Sequence, residues 1–264
     1  MKDLKVKNEG PLCSISLNRP EAHNAISSDM VNSIVDALQN ADKNVATKVV
    51  LLNAQGPTFC AGGDIKDMLE KKGMFKGETP ELRMNYKCGI QRIPLAIENF
   101  SKPIIAVIDG PAIGAGCDLA CMADLRIGSE KAEFCETFAK LALVPGDGGT
   151  YFLSRLIGHP RAMEMLLTNR TVKGEEALQW GLLNRLVKSN ELKATAHKLA
   201  LQIATLPGLA VQFTKEALKR SRHNQLPEHL DLLATYQSIT QRTPEHFEAL
   251  KNLARKTKEI IKTD

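Results

Sequence analysis

Two short apolar runs, each followed by a cluster of glycines, constrain the fold of this chain most strongly. The runs KVVLLN (48–53) and KPIIAVID (102–109) have the length and composition of strands that are buried on both faces. The clusters FCAGGDI (59–65) and GPAIGAG (110–116) follow them, and a helical pattern follows each cluster. Strands that alternate with helices in this way predict an α/β fold built on a parallel sheet.

The C-terminal half of the sequence is almost wholly helical. After residue 147 the apolar spacing indicates a series of helices, with one strand-like break at 183–187. We therefore expect an α/β core over residues 1–200 and a helical region over residues 201–264. Within the core, the glycine- and proline-containing stretch 70–82 predicts a surface loop, with a mobile lid as the alternative.

Composition argues against several classes of protein. No run of about 18 apolar residues is present, and the start, MKDLKVKNEG, lacks the apolar stretch of a signal peptide. The six cysteines lack the paired spacing of a zinc site, so we expect no metal and reduced thiols in a cytoplasmic protein, with an organellar matrix as the alternative. Much of the net charge of +5 comes from lysines and arginines late in the chain. Without interleaved aromatic residues they indicate solvated helix faces rather than a nucleic-acid surface.

Two aspartates accompany glycine-rich turns. The second glycine cluster opens a helix that carries Asp118, and Asp147 lies in the turn VPGDGG (144–149). Glycine lets a backbone approach a ligand closely, and a helix N-terminus offers unpaired N–H groups with partial positive charge. The apolar neighbours of Asp118 favour its burial. Backbone donors beside carboxylates suit a reaction that builds negative charge on a carbonyl oxygen while a proton moves.

The segments around these glycines resemble those of the crotonase superfamily, also called the enoyl-CoA hydratase/isomerase family. Four segments carry the resemblance: LNRPEAHNAIS (17–27), FCAGGDIKDM (59–68), KPIIAVIDGPAIGAGCDLACMADLRI (102–127) and LALVPGDGGTYFLSRLIG (141–158). It implies a spiral of ββα turns with C-terminal helices that form a homotrimer, or a hexamer of two trimers. It also implies an acyl-CoA substrate and no cofactor besides the CoA of that substrate.

The resemblance assigns roles to residues by their place in these motifs. The two backbone N–H groups that stabilise the thioester oxygen are expected at Ala61 and Ala115. The CoA portion is expected to contact two segments, represented by Ala22, His23 and Asn24 and by Gly62, Asp64 and Ile65. In this position His23 is expected to line the CoA channel rather than to act as a base.

The sequence departs from the hydratases of the family at one catalytic position. Hydratases hold a water with two glutamates, and the resemblance places the first at Asp118 and the second at Phe138. A phenyl ring neither takes a proton nor holds water, so Phe138 is expected to line an apolar pocket that raises the pKa of Asp118. Asp147 is the candidate partner of Asp118, with the N-cap of the following helix as the alternative interpretation. Glu136, two residues before Phe138, is expected to be exposed, with contact to the substrate as the alternative.

These residues predict an acyl-CoA enzyme that shifts a double bond by proton transfer. The alternative is an enoyl-CoA hydratase in which Asp118 and a second, repositioned acid act on water. A hypothesis of a different class is a non-catalytic member that binds acyl-CoA, or RNA through its basic helices. The glycine motifs and Asp118 favour the enzyme.

Overall fold

The computed structural model describes residues 3–261, with side chains described as far as Arg255. Its strands are β1 (Leu4–Glu9), β2 (Leu12–Leu17), β3 (Val49–Ala54), β4 (Ile104–Ile108), β5 (Pro111–Ile113), β6 (Leu125–Ser129), β7 (Glu133–Cys135), β8 (Thr171–Lys173) and β9 (Arg185–Val187). Its helices are α1 (Ser28–Lys43), α2 (Ile65–Leu69), α3 (Thr79–Cys88), α4 (Arg92–Glu98), α5 (Ala115–Met122), α6 (Gly149–Ile157), α7 (His159–Thr168), α8 (Gly174–Trp180), α9 (Ser189–Ala204), α10 (Gly208–Arg220), α11 (Leu226–Thr240) and α12 (Pro244–Ile261). The predicted α/β class, with helices dominating the C-terminal part, is confirmed.

A six-stranded sheet forms the centre of the α/β part, in the order β1-β2-β3-β4-β6-β9. β1 and β2 form an antiparallel pair, and the other neighbours in this sheet pair in parallel. The two apolar runs of the sequence are β3 and β4, which lie side by side with Leu51 opposite Ile105. Both residues are buried, as expected for strands that are covered on both faces.

A second sheet contains three short strands in the order β5-β7-β8. β5 pairs in parallel with β7, and β8 pairs antiparallel with it. Phe134 of β7 lies opposite Ala112 on one side and Val172 on the other, and all three are fully buried. Strands of three residues are too short to show an alternating pattern, so β5 and β8 are defined by their partners.

The first helix is held at both ends by side chains. Ser27 is the N-cap of α1, and its hydroxyl accepts a hydrogen bond from the N–H three residues later at 3.0 Å. Lys102, just before β4, donates to three carbonyls at the other end, those of Ala41, Asp42 and Asn44. A cation at that end also favours the helix dipole, so Lys102 ties α1 to the sheet.

The stretch predicted as a loop or lid, residues 70–82, is more regular than its composition indicates. It contains a 3-10 turn at Gly73–Phe75 and the start of α3 at Thr79. Met74 in the 3-10 turn is buried. Burial of this apolar side chain fixes the turn against the core, so the loop prediction is wrong for both of these parts.

The chain forms two compact units, residues 1–202 and 203–264. The division falls near the end of α9, two residues after the boundary expected from the sequence. The first unit contains both sheets, and the second contains α10, α11 and α12. Within the second unit the rings of Phe213 and Tyr236 stack with their centroids 4.2 Å apart. None of the helices in the described part of the chain is long and apolar enough to cross a membrane.

Candidate active site

The two glycine clusters of the sequence lie against each other at the N-terminus of α5. A methyl group on Gly62 would come within 2.7 Å of the Ile113 carbonyl oxygen and 3.1 Å of the Ala115 nitrogen. A methyl group on Gly116 would lie 2.1 Å from the Cys60 carbonyl oxygen. Gly62 also has a φ of +86°, in the left-handed region that favours glycine. These glycines therefore allow the main chain of the first cluster to pack directly on the start of α5.

Two backbone N–H groups at this junction have no hydrogen-bond acceptor. The Ala115 N–H lies in the first turn of α5, and across residues 3–261 nothing accepts a hydrogen bond from it or from the Gly63 N–H. The Ala61 N–H, in contrast, donates to the His23 carbonyl at 3.0 Å. The assignment of Ala61 as an N–H donor to a ligand is therefore wrong in this conformation, because that group is already used in the fold. Gly63, two residues later, has the available group.

Three buried carboxyl groups from separate segments meet beside α5. They belong to Asp118 of α5, Glu136 just after β7, and Asp147 just before α6. Asp118 and Glu136 are fully buried, and Asp147 is only 3% exposed. The Asp118 carboxyl is close enough to both of the others for each of them to raise its pKa. Gly149 permits the close approach of α6, since a methyl group there would lie 2.1 Å from the Asp118 Oδ1. The fold thus brings together Asp118, Asp147 and a third acid.

The carboxyl cluster has raised pKa values, because burial disfavours its negative charge. In the described part of the chain, no N–H or O–H donor reaches the oxygens of Asp118 or Glu136. Burial, and then the charges of Glu136 and Asp147, raise the pKa of Asp118 well above its usual range. Burial raises the pKa of Glu136 to about 7, and it raises the pKa of Asp147 as well. A proton on Asp118 turns its contact with either neighbour into a hydrogen bond. Near neutral pH the cluster therefore holds both an acid and a carboxylate base.

Asp147 belongs to the carboxyl cluster rather than to the start of α6. Gly148 is the N-cap of α6, and no side chain caps that end, so the N-cap interpretation of Asp147 is wrong. Burial and then the charge of Asp147 raise the pKa of Tyr86 on α3. Burial also raises the pKa of Cys60 to about 12, with a smaller contribution from Asp147. Asp147 therefore lies near both the first glycine cluster and α3.

A cavity of about 570 Å³ opens next to Asp147. Its walls come from α3, from the residues before α4 and from the segment before Asp147, and include Tyr86, Gln91, Leu143, Val144 and Gly146. The Gln91 side chain donates to the Gly146 carbonyl at 2.7 Å, which holds the segment against α4. Leu143 and Val144 are exposed apolar side chains, and the cationic Arg83 and Lys87 line the same cavity, so it offers contacts to an apolar group and to an anionic group of a ligand.

Phe138 stands close to the N-terminus of α5. A methyl group on Gly114, the residue before α5, would lie 3.8 Å from the Phe138 ring. The ring is half-buried and packs on the hydrophobic core. It supplies an apolar wall beside the Ala115 N–H and no polar atom that holds water.

Two of the residues expected along CoA have partners within the protein. Asn24 is fully buried. Its side chain accepts from the Arg19 N–H at 2.8 Å and donates to the carbonyls of Gln55 and Thr58. The Asn24 side chain therefore braces the turn that carries it, and a contact of Asn24 with CoA would come from its main chain. Asp64 is the N-cap of α2 and pairs with Arg19 at 3.2 Å, so its carboxylate is also used in the fold.

The remaining residues expected along CoA either have exposed side chains or present only backbone atoms to the site. His23 is exposed, and its Nδ1 lies 3.2 Å from the Thr58 hydroxyl. Ala22 is half-buried, and the apolar Ile65 is 60% exposed. Gly62 is buried and presents only backbone to the junction with α5. The structure leaves these positions open to a ligand.

Glu136 is the site residue that the sequence favours least, and the expectation that it is exposed is wrong. A signal was present, since Phe134 is a large apolar residue of β7 and alternate residues of a strand face the same side. Continuing that alternation past Cys135 places Glu136 on the inner side.

Comparison with known proteins identifies the family. The family model for enoyl-CoA hydratase/isomerase matches residues 7–260. The chain belongs to the enoyl-CoA hydratase/isomerase family, as its motifs predict, and it is an enzyme of the hydratase/isomerase type.

Relatives of both reaction types are similar to this chain. The 1,2-epoxyphenylacetyl-CoA isomerase of Escherichia coli K12 is 31% identical over 242 residues, which cover 92% of this chain and 91% of the relative. The short-chain-enoyl-CoA hydratase of Clostridium acetobutylicum is 34% identical over 225 residues, covering 83% and 82%. The crystal structure of the enoyl-CoA hydratase from Bacillus anthracis superposes with a TM-score of 0.89 at 30% identity, covering 96% of both chains. The predicted crotonase-type fold is confirmed.

Proposed function

We propose that this enzyme moves a proton along the acyl chain of a CoA thioester, shifting a double bond from the 3 to the 2 position. The observation that carries the proposal is the carboxyl cluster, which holds an acid and a base side by side in a buried site. A 1,3-proton shift needs one group that takes a proton from Cα and one that gives a proton to Cγ. It needs no water, which agrees with the apolar Phe138 beside the site.

The N–H groups of Ala115 and Gly63 are the proposed donors to the thioester oxygen. Both border the position that a side chain on Gly62 would occupy, and neither has an acceptor among the described residues. An enolate forms when the Cα proton leaves, and its oxygen takes up negative charge that such donors stabilise. One donor of this kind contributes about 2.7–4 kcal/mol to the transition state in a protease. Gly63 takes the role that the motif comparison gives to Ala61.

The pKa values of the cluster support the two remaining roles, the acid at Cγ and the base at Cα. Asp118 is flanked by two other acids, so it carries the shared proton and acts as the acid at Cγ. Asp147 provides the carboxylate that removes the proton from Cα. Asp118 is then the carboxylate and Asp147 the acid, and the contact between them returns the proton and resets the site.

The positions of the substrate follow from the exposed residues and the cavity. The CoA portion is proposed to lie along Ala22, His23 and Ile65, and the acyl chain in the cavity lined by Leu143 and Val144. The relatives named for CoA thioesters support this class of substrate. From the family resemblance we propose a homotrimer or hexamer formed through the C-terminal helices, and no cofactor besides CoA.

Hydration of a 2-enoyl-CoA is the second candidate function. Glu136 provides a second carboxyl beside Asp118, and two carboxyls can hold a water between them. The hydratase names among the relatives also favour it. A non-catalytic role in binding acyl-CoA or RNA is disfavoured, because burial of three acids without a cation is costly and unnecessary for binding alone.

The purified protein, assayed with 3-enoyl-CoA and 2-enoyl-CoA thioesters, tests the proposal. We expect conversion of the 3-enoyl substrate to the conjugated 2-enoyl product, and at most slow hydration of the latter. Asp118→Asn should lower turnover at least about 100-fold while CoA binding is unchanged, since removing a general acid costs roughly 10²–10⁴ in rate. Rapid hydration of 2-enoyl-CoA without isomerisation would contradict the proposal and favour the second candidate. Binding of RNA without turnover of any acyl-CoA would favour the non-catalytic hypothesis.

A further inference from the structure

We propose that Glu136 is a positioning residue that shares a proton with Asp118 and keeps Asp118 in the acid form which the reaction uses. This inference rests on the proposed function for the role of Asp118, and on the geometry of the carboxyl cluster for the shared proton. The motif comparison gives Glu136 no role.

The backbone around Glu136 is fixed, so the direction of its side chain is fixed as well. The Cys135 carbonyl, in the preceding residue, accepts a hydrogen bond from the Gly114 N–H at 2.8 Å. The Cys135 thiol donates to the Asn169 carbonyl at 3.2 Å. These contacts hold the end of β7 against the start of α5, and the Glu136 carboxyl consequently points at the α5 side chains.

The groups that face Glu136 are acids and a thiol. From α5 they are Asp118 and Cys117, and from the segment before α6 the group is Asp147. The Cys117 thiol is close enough to Glu136 to lower its pKa, and it is itself fully buried. Within the described residues no cation faces Glu136, and no set of acids, histidines and cysteines has the arrangement to hold a metal ion. A proton is therefore the species that compensates the Glu136–Asp118 contact.

Sharing a proton makes the ionisation of Asp118 depend on that of Glu136. Ionising both of two neighbouring carboxyls places two negative charges side by side. The pKa for loss of the second proton is therefore raised. An ionised Glu136 stabilises the proton on Asp118 by charge and by accepting its hydrogen bond. Without the Glu136 carboxyl, Asp118 would ionise at lower pH and would lose its acid form under conditions in which the native enzyme is active.

The pH dependence of turnover in Glu136→Gln tests this role. We expect the alkaline limb of the kcat profile to move to lower pH by about one unit, because the charge that favours protonated Asp118 is gone. At the pH of that limb, the kcat of Glu136→Gln is about tenfold below that of the native enzyme. Its kcat at acid pH and its KM at both pH values stay within about twofold of the native values. Glu136→Asp, which retains a carboxyl, should restore part of the native profile. Glu133→Gln, in the strand that precedes Glu136 and paired with the exposed Lys173, is the matched control and should leave the profile unchanged.

A loss of kcat by the same factor at every pH would show a purely structural role and overturn the proposal. Infrared spectroscopy of the substrate-free protein separates this inference from the proposed reaction. The native protein should lose absorbance of protonated carboxyl groups as the pH rises through neutrality, and Glu136→Gln should lack that transition. If both proteins show the same carboxyl titration, the shared proton is refuted whatever reaction the enzyme catalyses. If the transition is present but no 3-enoyl-CoA is isomerised, the proposed function fails and the shared proton stands.

Discussion

Removing the Glu136 carboxyl should flatten the dependence of stability on pH. Burial raises the pKa of Glu136 from 4.5 to about 7, so between these values the folded protein binds more protons than the unfolded chain. The free energy of unfolding therefore falls as the pH rises through this window. A shift of about 2.5 units at about 1.4 kcal/mol per unit makes this loss about 3 kcal/mol. The raised pKa values of Asp118 and Asp147 add to it in the same direction.

Urea unfolding at pH 5 and pH 8, at one protein concentration, measures the effect. We expect the native protein to lose at least about 2.5 kcal/mol between these conditions from this cluster, and Glu136→Gln to lose about 2.5 kcal/mol less, because pH 5 already lies above the unfolded pKa. Glu133→Gln should behave like the native protein, because Glu133 is partly exposed and paired with Lys173. An equal loss in the native protein and in Glu136→Gln would refute the reasoning from burial.

Three further substitutions test other parts of the site. Gly62→Ala should lower kcat about 100-fold, because its methyl group would crowd the Ala115 N–H at 3.1 Å; spectroscopic confirmation of folding must accompany the kinetics. Asn24→Ala should reduce the free energy of unfolding by about 3 kcal/mol and leave KM for acyl-CoA unchanged, since it removes hydrogen bonds inside the turn. Phe138→Glu should introduce measurable hydration of 2-enoyl-CoA, with Phe138→Leu as the control that stays inactive towards water.

The elements of the fold that could be predicted have strong local signals. β3 and β4 are continuous apolar runs, and α5 follows a glycine cluster with an apolar pattern of its own. β5 and β8 contain three residues each and exist because β7 lies between them. Met74 is buried in a stretch rich in glycine and charge, where only its tertiary contacts define the turn.

In the candidate site, too, features set by neighbouring residues could be predicted, and contacts between distant residues could not. The apolar neighbours of Asp118 on one helix predict its burial, and the structure agrees. The motif gives the place of Ala61 in the site. It does not show that the Ala61 N–H already donates to the carbonyl of His23, which is distant in sequence. The hydrogen bonds of the Asn24 side chain could not be predicted for the same reason, because the carbonyls of Gln55 and Thr58 lie over 30 residues away in sequence. Glu136 joins the carboxyl cluster only because β7, α5 and α6 converge.

The isomerisation of 3-enoyl-CoA in deuterated water tests the central claim most directly. Mass spectrometry and NMR of the product report both the position of the double bond and the site of deuteration. If Asp118 gives Cγ a deuteron that the carboxyl cluster has taken from the solvent, the product is 2-enoyl-CoA with deuterium at carbon 4, and Asp118→Asn does not form it. A 3-hydroxyacyl-CoA product, or 2-enoyl-CoA formed equally well by Asp118→Asn, would contradict the claim.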